Sequence, residues 1–173
     1  MESMSRTKSI AVIGVFTAFA VALSFLERLL PAPVPLPGIK LGLANIIVII
    51  FLYRYGIREA FKIQILRILL FSALFGGIAS AVYSFAGGIL SLGAMVLFKK
   101  AGVFSVVGVS VVGGVFHNIG QIAVAAAVLQ SAALFVYLPV LIISGEITGL
   151  ITGFVAFYVM SRLDSIPLTK LGG

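Results

Sequence analysis

The sequence predicts an all-α integral membrane protein, a single domain formed by a bundle of six transmembrane helices. Three observations carry that reading. Of the 173 residues, 61% are hydrophobic and only 10% are charged, against roughly 25% charged in a soluble domain, and the mean hydropathy is +1.26. That leaves too little polar surface to clothe a globule in water, so lipid is the main solvent. The apolar residues also fall into runs near the roughly 20 residues that one crossing needs. Finally, basic residues gather between alternate runs, the pattern that marks cytoplasmic loops.

Taken in order, the first run covers 9–26, after Arg6 and Lys8. "LSFLERLLP" offers no small-x-small cleavage site, so this run is expected to stay as a helix and not to leave as a signal peptide. The second run covers 41–53 and is short for a crossing; the third covers 57–78 and the fourth 79–98. The fifth covers 103–129 and the sixth 134–160. Six crossings put both termini on the same side. Arg6 and Lys8, then Arg54, Arg58 and Lys62, then Lys99 and Lys100, then Arg162 and Lys170 place nine of twelve basic residues on one face, which the positive-inside rule makes cytoplasmic in a bacterial cell membrane. Arg28 and Lys40 fall on the other face, and Arg67 lies within the third run. Topology accounts for the net charge of +7, so no nucleic-acid partner is needed.

Between the first two runs, "ERLLPAPVPLPGIK" (27–40) holds four of the six prolines. Alternating prolines favour a stiff, extended segment, suited to a lid over the outer mouth or to a plain spacer. Cysteine is absent, which removes disulfides and thiolate metal sites. A single histidine with no nearby carboxylate makes a poor metal site, so neither metal nor cofactor is expected.

Small residues four apart let membrane helices approach closely. Gly145, Gly149 and Gly153 in run six are expected to pack inside the bundle. Gly14, Ala18 and Ala22 in run one are candidates for docking another membrane protein. Ionisable groups inside a run cost about 2.5–3.5 kcal/mol each on the insertion scale, and Arg67 and Glu146 are the two present. Arg67 has a route toward the basic face, nine residues after Arg58. Glu146 is near mid-depth and is a candidate ligand-binding residue, and neutralisation of one by the other is the structural alternative.

The stretch "GGVFHNIGQIAV" (113–124) carries the only histidine, His117, with Asn118 beside it and Gln121 one turn on. His117 and Gln121, four apart, share a helix face, and Ser110 and Gly114 read as neighbours of that stripe. Three polar side chains within five residues point to a ligand cavity; a polar cross-link between helices is the alternative. Tyr83, Ser84 and Ser91, with Gly87 and Gly88 between them, form a second polar stretch. "KLGLAN" adds Lys40 and Asn45 at the start of run two, Lys40 as an interface anchor or as a group facing an anion.

"LPGIKLGLANIIVI", "YSFAGGILS" and "VVGVSVVGGVFHNIGQIAVA" resemble the Gx transporter family, also labelled heptaprenyl diphosphate synthase component I. That family is similar to the substrate-binding, or S, components of energy-coupling-factor importers, six-helix proteins with a long first outer loop over a small-molecule site. The resemblance implies an S-component-like fold and a vitamin-like or quinone-precursor-like small-molecule substrate. It implies as partners a transmembrane coupling subunit and ATPase subunits, with Ala18 and Ala22 matching the Ala-x-x-x-Ala docking pattern of the first helix. No Walker A motif is present, so ATP hydrolysis belongs to those partners. Prenyl synthases resemble one another in aspartate-rich motifs that hold Mg²⁺, whereas the five acids here, Glu2, Glu27, Glu59, Glu146 and Asp164, are scattered. No machinery for diphosphate ionisation is visible, and the chain is expected not to be an enzyme. An accessory subunit that binds an isoprenoid, and a free-standing carrier or pore, are the competing expectations.

Overall fold

The computed structural model describes residues 6–30 and 42–165. Among them all regular structure is helical, in the order α1 (Arg6–Arg28), α2 (Asn45–Arg54), α3 (Ile57–Phe71), α4 (Gly77–Ala101), α5 (Val106–Val128) and α6 (Leu138–Ser165). A π-helical turn, Ser72–Gly76, joins α3 to α4, and a 3₁₀ segment, Ala132–Tyr137, leads into α6. Four stretches are long and apolar enough to cross a membrane: Thr7–Arg28, Ile57–Ala101, Val106–Val128 and Ala132–Leu163. The chain is therefore a helical membrane protein.

Two boundaries differ from the sequence reading. The 45-residue stretch Ile57–Ala101 doubles back at Gly77, two residues before the break expected between runs three and four. Gly77 takes φ 67 and ψ −176, a left-handed conformation that glycine adopts without steric cost. Beyond it the chain reverses, and Gln64 of α3 lies against Gly88 of α4.

The second correction is α2. Its ten residues rise about 15 Å, half of a hydrocarbon core about 30 Å thick. Every residue from Ile47 to Leu52 is 7% exposed or less. A helix apolar on all sides belongs inside protein rather than at a lipid boundary, and this one is the centre of the main core, packed with Ala20, Ile63, Met95, Val109 and Ala156. Residues 42–44 ahead of it are not helical, yet they lie at the depth of neighbouring helices. Irregular backbone at that depth must have its polar groups paired. The Gly42 N–H donates to the Glu27 carboxylate, and the Gly42 and Leu43 carbonyls accept from Asn45 and Ile46 at 2.9 and 3.1 Å. Glu27, read from the sequence as the start of an outer loop, is instead the buried last turn of α1.

α5 lies between α4 and α6. At the basic end, side chains close helix termini. Lys99 donates to the Leu52 carbonyl in the last turn of α2 at 2.6 Å, and Arg54 donates to the Met160 carbonyl of α6 at 2.6 Å. Cations near carbonyl-rich helix ends are favoured there.

Candidate ligand site

His117 is eleven residues from either end of α5 (Val106–Val128), so its depth is the middle of the bundle. The glycine pair of α4 sits at the same level, and its missing side chains make the site possible. A Cβ on Gly87 would stand 3.1 Å from His117 Cε1 and 2.8 Å from Gln121 Cγ. One on Gly88 would run into the Gln64 amide. Two large polar groups of α5 and one of α3 thus lie on bare α4 backbone, on adjoining sides of one helix turn.

The non-helical residues before α2 complete the cluster. The Cβ position of Gly42 is 3.2 Å from Asn45 Nδ2 and 3.5 Å from the His117 ring. Arg67 Nη2 donates to Gln64 Oε1 at 3.0 Å, and the Glu27 carboxylate acts electrostatically on the Arg67 guanidinium. A buried cation and a buried anion so compensate one another, and Glu27 also holds the entry to α2 through Gly42. Four helices and one loop therefore bring Glu27, Asn45, Gln64, Arg67, His117 and Gln121 into one interior network, each of them 5% exposed or less.

Within this network hydrogen-bonding capacity is left over. Asn45 Oδ1, Gln64 Nε2 and Arg67 Nε are buried without a hydrogen-bond partner, as is Ser91 Oγ one turn further along α4. Buried polar groups are ordinarily paired, at a cost of roughly 1–3 kcal/mol each when they are not. One acceptor, two donors and a hydroxyl facing the interior are what a small polar ligand needs for orientation.

The candidate residues read from the sequence divide accordingly. Asn45, His117 and Gln121 come together. Ser84 and Ser91 are buried on α4 beside them. Tyr83 is further from the basic end, packed with Ile122, Ala125 and Leu141 in a separate apolar cluster. Lys40 lies outside the described residues. Asn118 is buried but faces the other way, donating from Nδ2 to the Leu141 carbonyl of α6 at 2.7 Å. At 100° per residue, Asn118 shares its stripe with Gly114 and Ser110, and these face α6: Gly114 meets the Gly145 backbone and Ser110 bonds Thr152 at 2.9 Å. The expected stripe of Ser110 and Gly114 with His117 is corrected on that point. Glu146 is also corrected, since it lies on the exposed face of α6 and neither joins the cluster nor pairs with Arg67.

Gln64 and Glu27 are the residues that sequence reasoning missed. Gln64 stands one turn before Arg67 on α3, and that i, i+3 pairing was the available signal. Glu27 was masked by the prolines that follow it.

The docking candidates Gly14, Ala18 and Ala22 are all exposed on α1, while Thr17, Ala20, Ser24 and Glu27 of the same helix are buried. Over residues 16–159 the chain matches the family described as Heptaprenyl diphosphate synthase component I. No curated protein and no solved structure matches it. The match covers most of the chain and all of the network just described, and the chain belongs to that family.

Proposed function

We propose that this member of the heptaprenyl diphosphate synthase component I family is the membrane-embedded substrate-binding component of an energy-coupling-factor type importer. It captures a small vitamin-like or quinone-precursor-like molecule from outside and is not itself an enzyme. The observation that carries this reading is the mid-depth network with its unspent donors and acceptors, tied to the entry of α2 by the Glu27–Gly42 contact. A ligand held there hydrogen-bonds Asn45, Gln64 and Gln121, the last two of which rest on the α4 backbone at Gly88 and Gly87. In this reading the chain crosses six times with both termini cytoplasmic. The open stripe of Gly14, Ala18 and Ala22 supports docking of a coupling subunit, whose ATPase partners supply the energy.

The family description favours a second reading, an accessory subunit that binds an isoprenoid for a soluble prenyl synthase. The chain's few, scattered acids give no Mg²⁺-diphosphate site, so in that reading too the chain binds and does not catalyse.

Native mass spectrometry of the protein in lipid nanodiscs tests the two together with co-purification. A retained small polar molecule that is lost in Gln64→Ala, with ATPase subunits in the complex, is the expected result. A retained prenyl chain accompanied by a soluble synthase would replace the importer reading with the accessory one.

A further inference from the structure

Short of the basic end, the exposed face of α6 carries one ionisable group among apolar side chains. Glu146 projects from it among Ile143, Ile147, Leu150, Phe154 and Phe157, which are 44–60% exposed. Its neighbours Gly145 and Gly149 are the residues that α5 covers, so Glu146, one step around the helix from Gly145, is directed away from the bundle. Gly145 meets Gly114, one turn from His117 at the midpoint of α5, which sets Glu146 close to mid-depth. None of the described residues bonds to its carboxylate.

A carboxylate at hydrocarbon depth is costly, and such groups normally face a bundle interior or pair with another charge. Here the interior is behind it. Among the described residues no cation is placed to meet it from a second copy: Lys8, Arg54, Arg58, Lys62, Lys99, Lys100 and Arg162 stand at the basic end. Arg28 donates to the Phe75 carbonyl at the other end, and Arg67 is buried against Gln64. None of the described cations stands outward at the depth of Glu146, which points to a different chain as the source of its complement. In lipid, apolar faces gain little by meeting one another, so a buried polar pair supplies the register and the specificity of helix association.

We propose that this face of α6 is a docking surface, separate from the small-residue stripe of α1, and that its occupant is a transmembrane helix of another subunit carrying an arginine or lysine at the depth of Glu146. The side chains of Ile143, Ile147 and Leu150 pack around the pair and keep lipid from it.

A photo-crosslinking residue in place of Ile147, in the full chain in its native membrane, tests this. The expected adduct joins it to a membrane segment with a basic residue within one turn of the cross-link. Glu146→Lys lowers the adduct yield at least tenfold, and replacing the partner's basic residue by glutamate restores it in that background. Because Glu146 is exposed, Glu146→Lys and Glu146→Gln retain the helicity and the detergent melting temperature of the parent, which separates lost docking from lost folding. Adducts to lipid or to a second copy alone, a partner segment without a basic residue, an undiminished yield in Glu146→Lys, or failure of the charge swap to rescue each overturn the proposal.

Discussion

Two stripes of small residues in this protein share a four-residue spacing and meet opposite fates. On α6, Gly145, Gly149 and Gly153 lie against α5, where a Cβ on Gly149 would stand 2.5 Å from Val111 Cα and one on Gly153 would stand 2.9 Å from Val107 Cα. On α1, Gly14, Ala18 and Ala22 are exposed, and nothing lies within 4 Å of where a Gly14 Cβ would be. Spacing makes a helix face flat, but it does not say what covers it. α5 brings its own flat stripe of Ser110 and Gly114 to meet α6, so backbone rests on backbone. α1 instead turns Thr17, Ala20 and Ser24 inward, and among the described residues no second flat surface lies opposite its small residues. The flat face left over is the one available to a partner.

The sharpest way to break that contrast is Gly114→Leu. A side chain there has the Gly145 backbone in its way, and backbone cannot give as a flexible side chain can. No folded protein is expected in detergent extracts, whereas Ala18→Leu yields as much as the parent; equal yields would erase the difference between the stripes. Gly149→Ala, one methyl on the same seam, is expected to lower stability by roughly 1–3 kcal/mol, the usual range for overpacking, read from the melting of the ligand-free protein.

The seam also separates the polar residues of α5. Asn118→Ala is expected to cost about 0.6–1.7 kcal/mol, as membrane hydrogen bonds between helices do, with ligand affinity nearly unchanged. Gln121→Ala is expected to do the reverse, with a roughly 5- to 150-fold loss of affinity, which corresponds to about 1–3 kcal/mol. Isothermal titration beside thermal melting distinguishes them, and parallel losses in both variants would merge the site with the seam. At the small end, Ala18→Leu and Ala22→Leu together are expected to change stability by less than about 0.5 kcal/mol, as unpacked surface positions do. The same pair is expected to abolish co-purification of the proposed coupling subunit, and retention of such a subunit would leave the open stripe without a role.

Orientation has an equally direct check, since the chain contains no cysteine. Single cysteines at Val103 and Leu129, both exposed, are expected to react with an impermeant maleimide from the cytoplasmic and external sides respectively.

Hydropathy made the apolar runs legible and located four crossing stretches to within a few residues. It did not separate α2 from a full crossing, because "LGLANIIVIIFLY" is apolar from its first residue. What ends the helix early is backbone geometry at Gly42, where φ is +89, together with the burial of Glu27 to receive its N–H. The site was half legible. His117, Gln121, Asn45 and the Gly87–Gly88 pair meet as their residue types suggested. Depth along a helix follows from counting residues, but rotation about its axis depends on which neighbour covers which face. That is why Glu146, expected to face inward, lies outward, and why Asn118 parts company with its neighbour. Gln64 escaped notice because its role requires the fold-back at Gly77 that brings Gly88 beneath it.

The brevity of α2 also decides where the apolar core of the bundle is thickest. Asn45 at its first residue is already level with the middle of α5, so a solute held there has passed about half of a hydrocarbon core some 30 Å thick. What remains toward the basic end is about 15 Å of helix, wrapped by close-packed side chains in which Val48, Ile49, Phe51 and Leu52 are fully buried. The insulating length of the molecule is thus concentrated in one apolar plug rather than spread along a tunnel.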